Sequence, residues 1–359
     1  MQDFYSQSPF LRPERKHIKP VFLPFAGCRV KCVFCAQNHQ TGKKSMNLND
    51  IAAGMRKMLE DAFEEESEPF ELAFYGGTFT LLSAECQEKL LALGHEYVKK
   101  GVVSNMRCST RPDAIDTESL SRLKKYGLTT IELGVQSFNS KALESSLRGY
   151  TRETALNACL KIKEAGMNLI VQLMPGMPGV GPEEFRKDVE TVVSLLPHAV
   201  RLYPCLVIED TALAILWEKG GFTPWNLENT VKRLGQALLI LWEANIPAIR
   251  IGLAPEASLI PKILAGPWHP SLGSQVQAEA VCLWLEKKIK HLPGRLVSLN
   301  IPRRLQGFFW GEQGNLKARY ENLGLTPENT LFWQWPLVRI RTIKTGTENG
   351  EKESSPHKP

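Results

Sequence analysis

The chain of 359 residues contains no apolar run near the ~20 residues that span a bilayer. Its opening stretch, "MQDFYSQSPFLRPERKHIKP", has no apolar signal segment. A cytoplasmic protein with no membrane partner is therefore expected, and thiols stay reduced there. The eight cysteines are then expected to have no disulfide partner, which leaves them metal binding or core packing. Tryptophan is missing from the first 216 residues, since all eight lie at or after Trp217. Neither sign of charge dominates. The net charge of +6 permits an anionic partner without requiring one. There is no internal repeat beyond a βα alternation.

Against this plain background stands "FLPFAGCRVKCVFCAQN", where Cys28, Cys32 and Cys35 are spaced C-x3-C-x2-C. Three readings compete. Free cysteine is a small core hydrophobe, and the triplet could be buried packing. The polar, loop-like surroundings of Gly27, Arg29, Lys31 and Asn38 speak against that. A structural zinc site wants four ligands, usually from two CxxC-like pairs, and Cys86, Cys108, Cys159, Cys205 and Cys282 form no second pair. An iron–sulfur cube normally takes four cysteines. With three it keeps one iron open, and an open position is where a substrate or cofactor binds.

The spacing, with Phe34 before the last cysteine, resembles the radical S-adenosylmethionine (SAM) superfamily. The resemblance implies a 4Fe–4S cluster held by Cys28, Cys32 and Cys35, with SAM chelated at the open iron. Reductive cleavage of SAM would then release methionine and a hydrogen-abstracting 5′-deoxyadenosyl radical. It also implies a reducing electron donor such as flavodoxin or ferredoxin.

The rest of the chain reads as βα units. Short apolar runs fall at 20–25, 71–75, 104–109, 130–136, 169–174 and 199–204. Helical patterns lie between them, such as 84–100 and 152–166, with Gly127 and Gly166 placed as helix stops. Six strands joined by helices predict a parallel sheet. The superfamily resemblance makes this an α/β fold, an open (βα)6 partial TIM barrel, here with a C-terminal α/β extension. Sites in such sheets gather at the C-terminal strand ends. There "FYGGTFT" carries Gly76, Gly77 and Thr78, which look like the superfamily's motif for the SAM amino group. By the same resemblance Ser109 and Gln136 face the ribose or methionyl part. Arg148 pairs with the carboxylate, Gln172 reaches the ribose and Met174 lines the adenine pocket. Taken singly, the alternative for each is an ordinary strand-end polar or core residue; their joint order and placement speak against coincidence.

"ELAFYGGTFT", "STRPDAID", "IELGVQSFN" and "LIVQLMPGMPG" closely resemble the radical SAM region of the Elongator catalytic subunit, which modifies tRNA wobble uridine. The likeness covers about residues 18 to 252, and extends less specifically to oxygen-independent coproporphyrinogen oxidase and its haem-chaperone relatives. The Elongator subunit continues into an acetyltransferase domain. Here the residues after 255 show no acyl-CoA-binding glycine loop, and acetyl-CoA-dependent chemistry is not expected to carry over.

The expected division is an N-terminal arm (1–17), a barrel (18–210), a family extension (211–255), a C-terminal region (256–341) and a disordered tail (342–359). The extension is expected to pack "AIRIGL" beside the barrel. In the C-terminal region, "EKKIKHLPGRLVSLNIPRRLQGFFWGEQGNLKARY" alternates basic residues with aromatics. That is either a nucleic-acid surface or a solvated basic face above an aromatic core. No grouped cysteines appear for a second cluster. His39, Tyr150 and Tyr203 could reach a substrate, and the sequence gives none of them a catalytic role. Two functions remain open: a radical SAM enzyme acting on tRNA, and a tetrapyrrole (haem) binding or delivery protein or porphyrin-related enzyme.

Overall fold

The computed structural model describes residues 1–7, 10, 17–28, 31–37 and 47–343. It divides into a large unit, residues 10–277, and a small unit of residues 1–9 and 278–359.

The strands in chain order are β1 (Gln2–Gln7), β2 (Ile18–Phe22), β3 (Phe70–Tyr75), β4 (Val103–Thr110), β5 (Leu128–Gln136), β6 (Asn168–Leu173), β7 (Ala199–Leu202), β8 (Val207–Ile208), β9 (Ala248–Ile251), β10 (Ile263–Ala265), β11 (Arg295–Pro302), β12 (Thr330–Trp333) and β13 (Leu337–Ile343). In the large unit β2, β3, β4, β5, β6, β7 and β9 form one sheet in that order. Every neighbouring pair is parallel. Parallel neighbours need crossovers, and helices such as Ala84–Lys99, Thr117–Lys125, Arg152–Glu164 and Pro182–Leu195 supply them. β2 and β9 are not paired to each other, so the curled sheet is an open partial barrel. A short antiparallel pair, β8 with β10, lies apart from it.

Local chemistry sets these elements. Ser83, Asp116, Asn139 and Thr151 each accept a hydrogen bond from a backbone N–H in the first turn of the helix that follows. Strands covered on both faces read as continuous apolar runs. β3 follows this with Phe70, Leu72, Ala73 and Phe74 all buried, but it also buries Glu71.

The six expected strands are present with shifted ends. The run 20–25 stops as a strand at Phe22, because Phe25 takes a left-handed conformation (φ 56°) and the chain turns. "AIRIGL" does not lie beside the barrel but joins its sheet as the seventh strand, parallel to β7. In the small unit, β1, β13, β11 and β12 make a four-stranded sheet in that order. Gln2–Gln7, taken as part of an arm, pairs antiparallel with β13. Thr342 and Ile343, taken as the start of the tail, are its last strand residues. The rest of that tail lies outside the described residues.

Candidate active site

At the C-terminal ends of the barrel strands the cysteine loop is tied to the turn after β3. Leu23 N–H donates to Tyr75 C=O (2.6 Å), Phe25 N–H to Gly76 C=O (3.0 Å) and Thr78 N–H to Ala26 C=O (2.8 Å). The two segments lie so close that side chains are excluded. A Cβ on Gly77 would sit 2.3 Å from the Ala26 carbonyl oxygen and 2.7 Å from that of Leu23. One on Gly27, itself at φ +75°, would sit 2.3 Å from the Thr78 carbonyl oxygen.

The three thiols face a cavity of about 1270 Å³ running through the barrel. Cys28 Sγ lies 3.3 Å from Thr78 Oγ1. Cys32 is buried, and its sulfur accepts from Arg148 Nη1 (3.0 Å) and more distantly from Arg111 Nη1 (3.6 Å). Burial, and then the neighbouring Cys32 and Cys28 thiols, push the Cys35 thiol up to about 11. All eleven residues expected from the sequence line this one cavity: Cys28, Cys32, Cys35, Gly76, Gly77, Thr78, Ser109, Gln136, Arg148, Gln172 and Met174.

Their individual settings differ. Gln136, buried at the end of β5, holds φ +69°, which is costly for a residue with a side chain. Its backbone carbonyl accepts from Met174 N–H (2.8 Å), and its side chain oxygen from Gln172 Nε2 (3.3 Å). Arg148 is buried, with Nε on the Tyr150 hydroxyl (3.0 Å) and Nη2 on the Gly134 carbonyl. Tyr150 donates in turn to the Val135 carbonyl (2.8 Å), so it props the arginine behind the cavity wall. Tyr203 lines the cavity. His39 lies outside the described residues.

Sequence reading missed the deeper wall. Glu132 Oε1 accepts from the Tyr75 hydroxyl (2.7 Å), Arg107 Nη1 (3.0 Å) and Arg201 Nη2 (3.0 Å). Arg107 also pairs with Glu71, and Arg201 Nη1 donates to the Tyr203 hydroxyl (3.0 Å). Burial first, and then the Glu132 carboxylate, hold the Tyr75 phenol far above its ordinary range. It therefore stays a proton donor. Charges inside strands were the available signal: Glu71, Arg107, Glu132 and Arg201 each fall within an expected strand.

Thiols are the donor chemistry an iron–sulfur cube takes. Among the described residues no group of three His, Cys, Asp or Glu converges on a point where one ion would sit. Three thiols lining one cavity fit a cube, in which each thiolate would take a different iron. Cys108, Cys159, Cys205 and Cys282 are buried in the interior, away from this role.

The fold and the cavity with its three thiols define the class, an enzyme of the radical SAM type. Family models match the chain as the Radical SAM superfamily over residues 22–192 and the Radical_SAM C-terminal domain over residues 197–281. The chain belongs to the radical SAM superfamily, whose cofactors are a 4Fe–4S cluster and SAM. It is 28% identical over 249 residues to the tRNA uridine(34) acetyltransferase of Methanocaldococcus infernus, covering 59% of this chain and 47% of that one. It is 32% identical over 190 residues to Elongator complex protein 3 of Danio rerio, covering 46% and 34%. The solved archaeal Methanocaldococcus infernus Elp3 with an N-terminal deletion matches at TM-score 0.57 and 24% identity, over 76% of this chain and 63% of that one, a likeness of fold. The expected resemblance to the Elongator catalytic subunit holds. The chain spans about half the length of the archaeal relative it matches. Among the described residues no helix is long and apolar enough to cross a membrane.

Proposed function

We propose that this chain modifies a base of tRNA by radical SAM chemistry, with Cys28, Cys32 and Cys35 as the cluster ligands. The observation that carries the reading is the meeting of three thiols and eight expected SAM contacts on one cavity at the strand ends. The tRNA part rests on relatives named for tRNA uridine and for Elongator.

When bound, the cluster and SAM supply a hydrogen-abstracting organic radical. The chain's own residues hold and shield. Gly76 and Gly77 would offer backbone to the SAM amino group, and Thr78 lies beside Cys28. Arg148 keeps a cation against Cys32 and would pair with the SAM carboxylate. Ser109, Gln136, Gln172 and Met174 would wall the nucleoside part. The Tyr75–Glu132–Arg201 group forms a polar floor on which a heterocycle can rest. Work on tRNA puts the enzyme in the cytoplasm beside a flavodoxin or ferredoxin electron donor.

The test compares modified nucleosides in tRNA from cells with and without this protein. Loss of one modified nucleoside, restored by the wild-type gene and not by Cys32→Ala, is the expected result. Identical nucleoside profiles would remove tRNA as the substrate. Stoichiometric haem in the purified protein would then favour a tetrapyrrole role.

A further inference from the structure

The small unit contains a surface that the barrel chemistry does not use. Its four-stranded sheet packs one face inward: Val338 and Ile340 of β13 and Leu299 and Ile301 of β11 are buried. Phe309 and Tyr320 are buried too, stacked on each other at 4.4 Å. These aromatics, and the half-buried Trp310 set edge-on against them, belong to a core rather than to a nucleic-acid surface. Three of the four aromatics in "PRRLQGFFWGEQGNLKARY" are therefore spoken for.

The opposite face is exposed in part: Asn300 on it is buried, its side-chain oxygen accepting from Arg339 at 3.2 and 2.9 Å, and its rings at the ends stand out. Side chains alternate along β13, so Arg339 stands on this side, across from Tyr5 on β1 and Asn300 on β11. Tyr5 is 59% exposed and Trp335, which follows β12, is 64% exposed. The aromatics are ordered into a stack. The Arg339 guanidinium lies 5.2 Å from the Trp333 ring centre, Trp333 lies 6.0 Å from Trp335 at an interplanar angle of 27°, and the Trp333 indole N–H donates to the Leu337 carbonyl (2.8 Å). The stack is anchored at Trp333 and ends on the exposed ring of Trp335.

Charge selects the partner. Residues 1–9 and 278–343 hold ten Lys and Arg against six Asp and Glu, most of the excess of +6 in the whole chain. Arg303 and Arg304 are exposed just after Pro302, the register partner of Trp333, so cations border the stack. A sheet face with exposed rings and bordering cations suits unpaired bases joined by phosphates, since every base has a face to stack and duplex bases do not offer theirs.

We propose that this partly exposed face of the small sheet docks single-stranded RNA, with a base stacking on Trp335 and phosphates following Arg303 and Arg304. This rests on the tRNA reading and adds a docking surface to it, outside the radical site.

Fluorescence anisotropy on the full chain tests it, using a labelled unstructured 12-nucleotide RNA and a blunt duplex of the same sequence. The single strand is expected to bind the tighter. Trp335→Ala should weaken it on the order of tenfold with an unchanged salt slope, and Trp335→Phe should restore most of the affinity. Changing Arg303 and Arg304 together to Gln should flatten the log–log salt slope by about 1.4, at roughly 0.7 per phosphate contact on a single strand. SAM cleavage without RNA should be the same in all variants. Wild-type affinity in Trp335→Ala, or equal binding of duplex and single strand, overturns the proposal. So does a concentration-dependent dimer that Trp335→Ala abolishes, which would make the face a self-association surface. If tRNA nucleosides are unchanged by loss of the protein while these RNA effects appear, the surface stands and the tRNA reading falls. If tRNA is modified and Trp335→Ala binds it normally, the reverse holds.

Discussion

Cys32 is the most constrained of the three site thiols. It is buried, and two guanidinium groups point N–H bonds at its sulfur. Those charge-assisted donors fix where the sulfur sits. Cys32→Ala should therefore abolish the cluster, and anaerobic reconstitution should drop from about four irons, the count of a cube, to a trace. Cys282→Ala, a change in the buried interior of the small unit, should keep full iron. Iron assay with the visible absorbance of the cluster reads both. Full loading of the Cys32 variant would end the assignment. A second residue carries a pH signal. Asp188 accepts from the Ser137 hydroxyl and the Phe138 N–H, each at 2.7 Å, and so fixes the turn after β5. Burial outweighs those two bonds and raises its carboxyl to about 6. The folded state then binds this proton more tightly than the unfolded chain does. Its contribution is complete below pH ~4 and is lost as pH rises through about 6, on the order of 2–3 kcal/mol. Urea stability of the wild type, measured against Asp188→Asn, should fall by that order between pH 4 and 7. Parallel curves would contradict it.

At the scale of elements, the site depends on two loops held against each other. The cysteine loop and the Gly76–Gly77 turn touch backbone to backbone, with the carbonyls of Ala26 and Leu23 against the α-carbon of Gly77. Gly77→Ala puts a methyl group into that contact, and backbone atoms do not yield as a flexible side chain would. The loops should part at a cost of about 1–3 kcal/mol. The expected outcome is a lower urea midpoint together with weaker SAM binding by calorimetry. Unchanged values for both would show that the loops separate freely. Much of this level was legible beforehand. Five of the six expected runs, from 71–75 to 199–204, lie within two residues of β3, β4, β5, β6 and β7. The strand β9 was misplaced, because four residues with a charge in the middle ("AIRI") carry little apolar signal. What made it a sheet strand is pairing with β7, a contact between residues about 50 apart.

Over the whole molecule, the small unit closes only when the first and last described strands meet. β1 pairs with β13 along its full length, and Asp3 bonds Arg341 through both carboxylate oxygens at 2.6 and 3.0 Å. Removing residues 1–7 would turn β13 into an unpaired edge and leave Arg341 without that carboxylate. Hydrogen exchange of residues 337–343 should then accelerate at least on the order of tenfold, while β4 in the barrel keeps its protection. Equal protection in both proteins would mean that the sheet does not need its first strand. Nothing in the sequence announces this pairing. β1 is polar, "QDFYSQ", and lies more than 300 residues from its partner.

The sequence by itself determined what is local and repetitive. Three thiols at C-x3-C-x2-C, glycines at a strand end and apolar runs alternating with helical ones are patterns of a few residues, and each has a short-range physical cause. They were enough for the fold class, the family and the cofactors. Only the tertiary structure decided which side chains share a space. It set Arg148 and Arg111 on the Cys32 sulfur and gathered Tyr75, Arg107, Glu132 and Arg201 into one buried polar floor. It also sent Phe309 and Tyr320 into a core while leaving Trp335 in the open. Such placements depend on strand register and on the closing of distant segments. A window of sequence shows which residues are aromatic or charged, and the packing of remote chain around them settles which face they take.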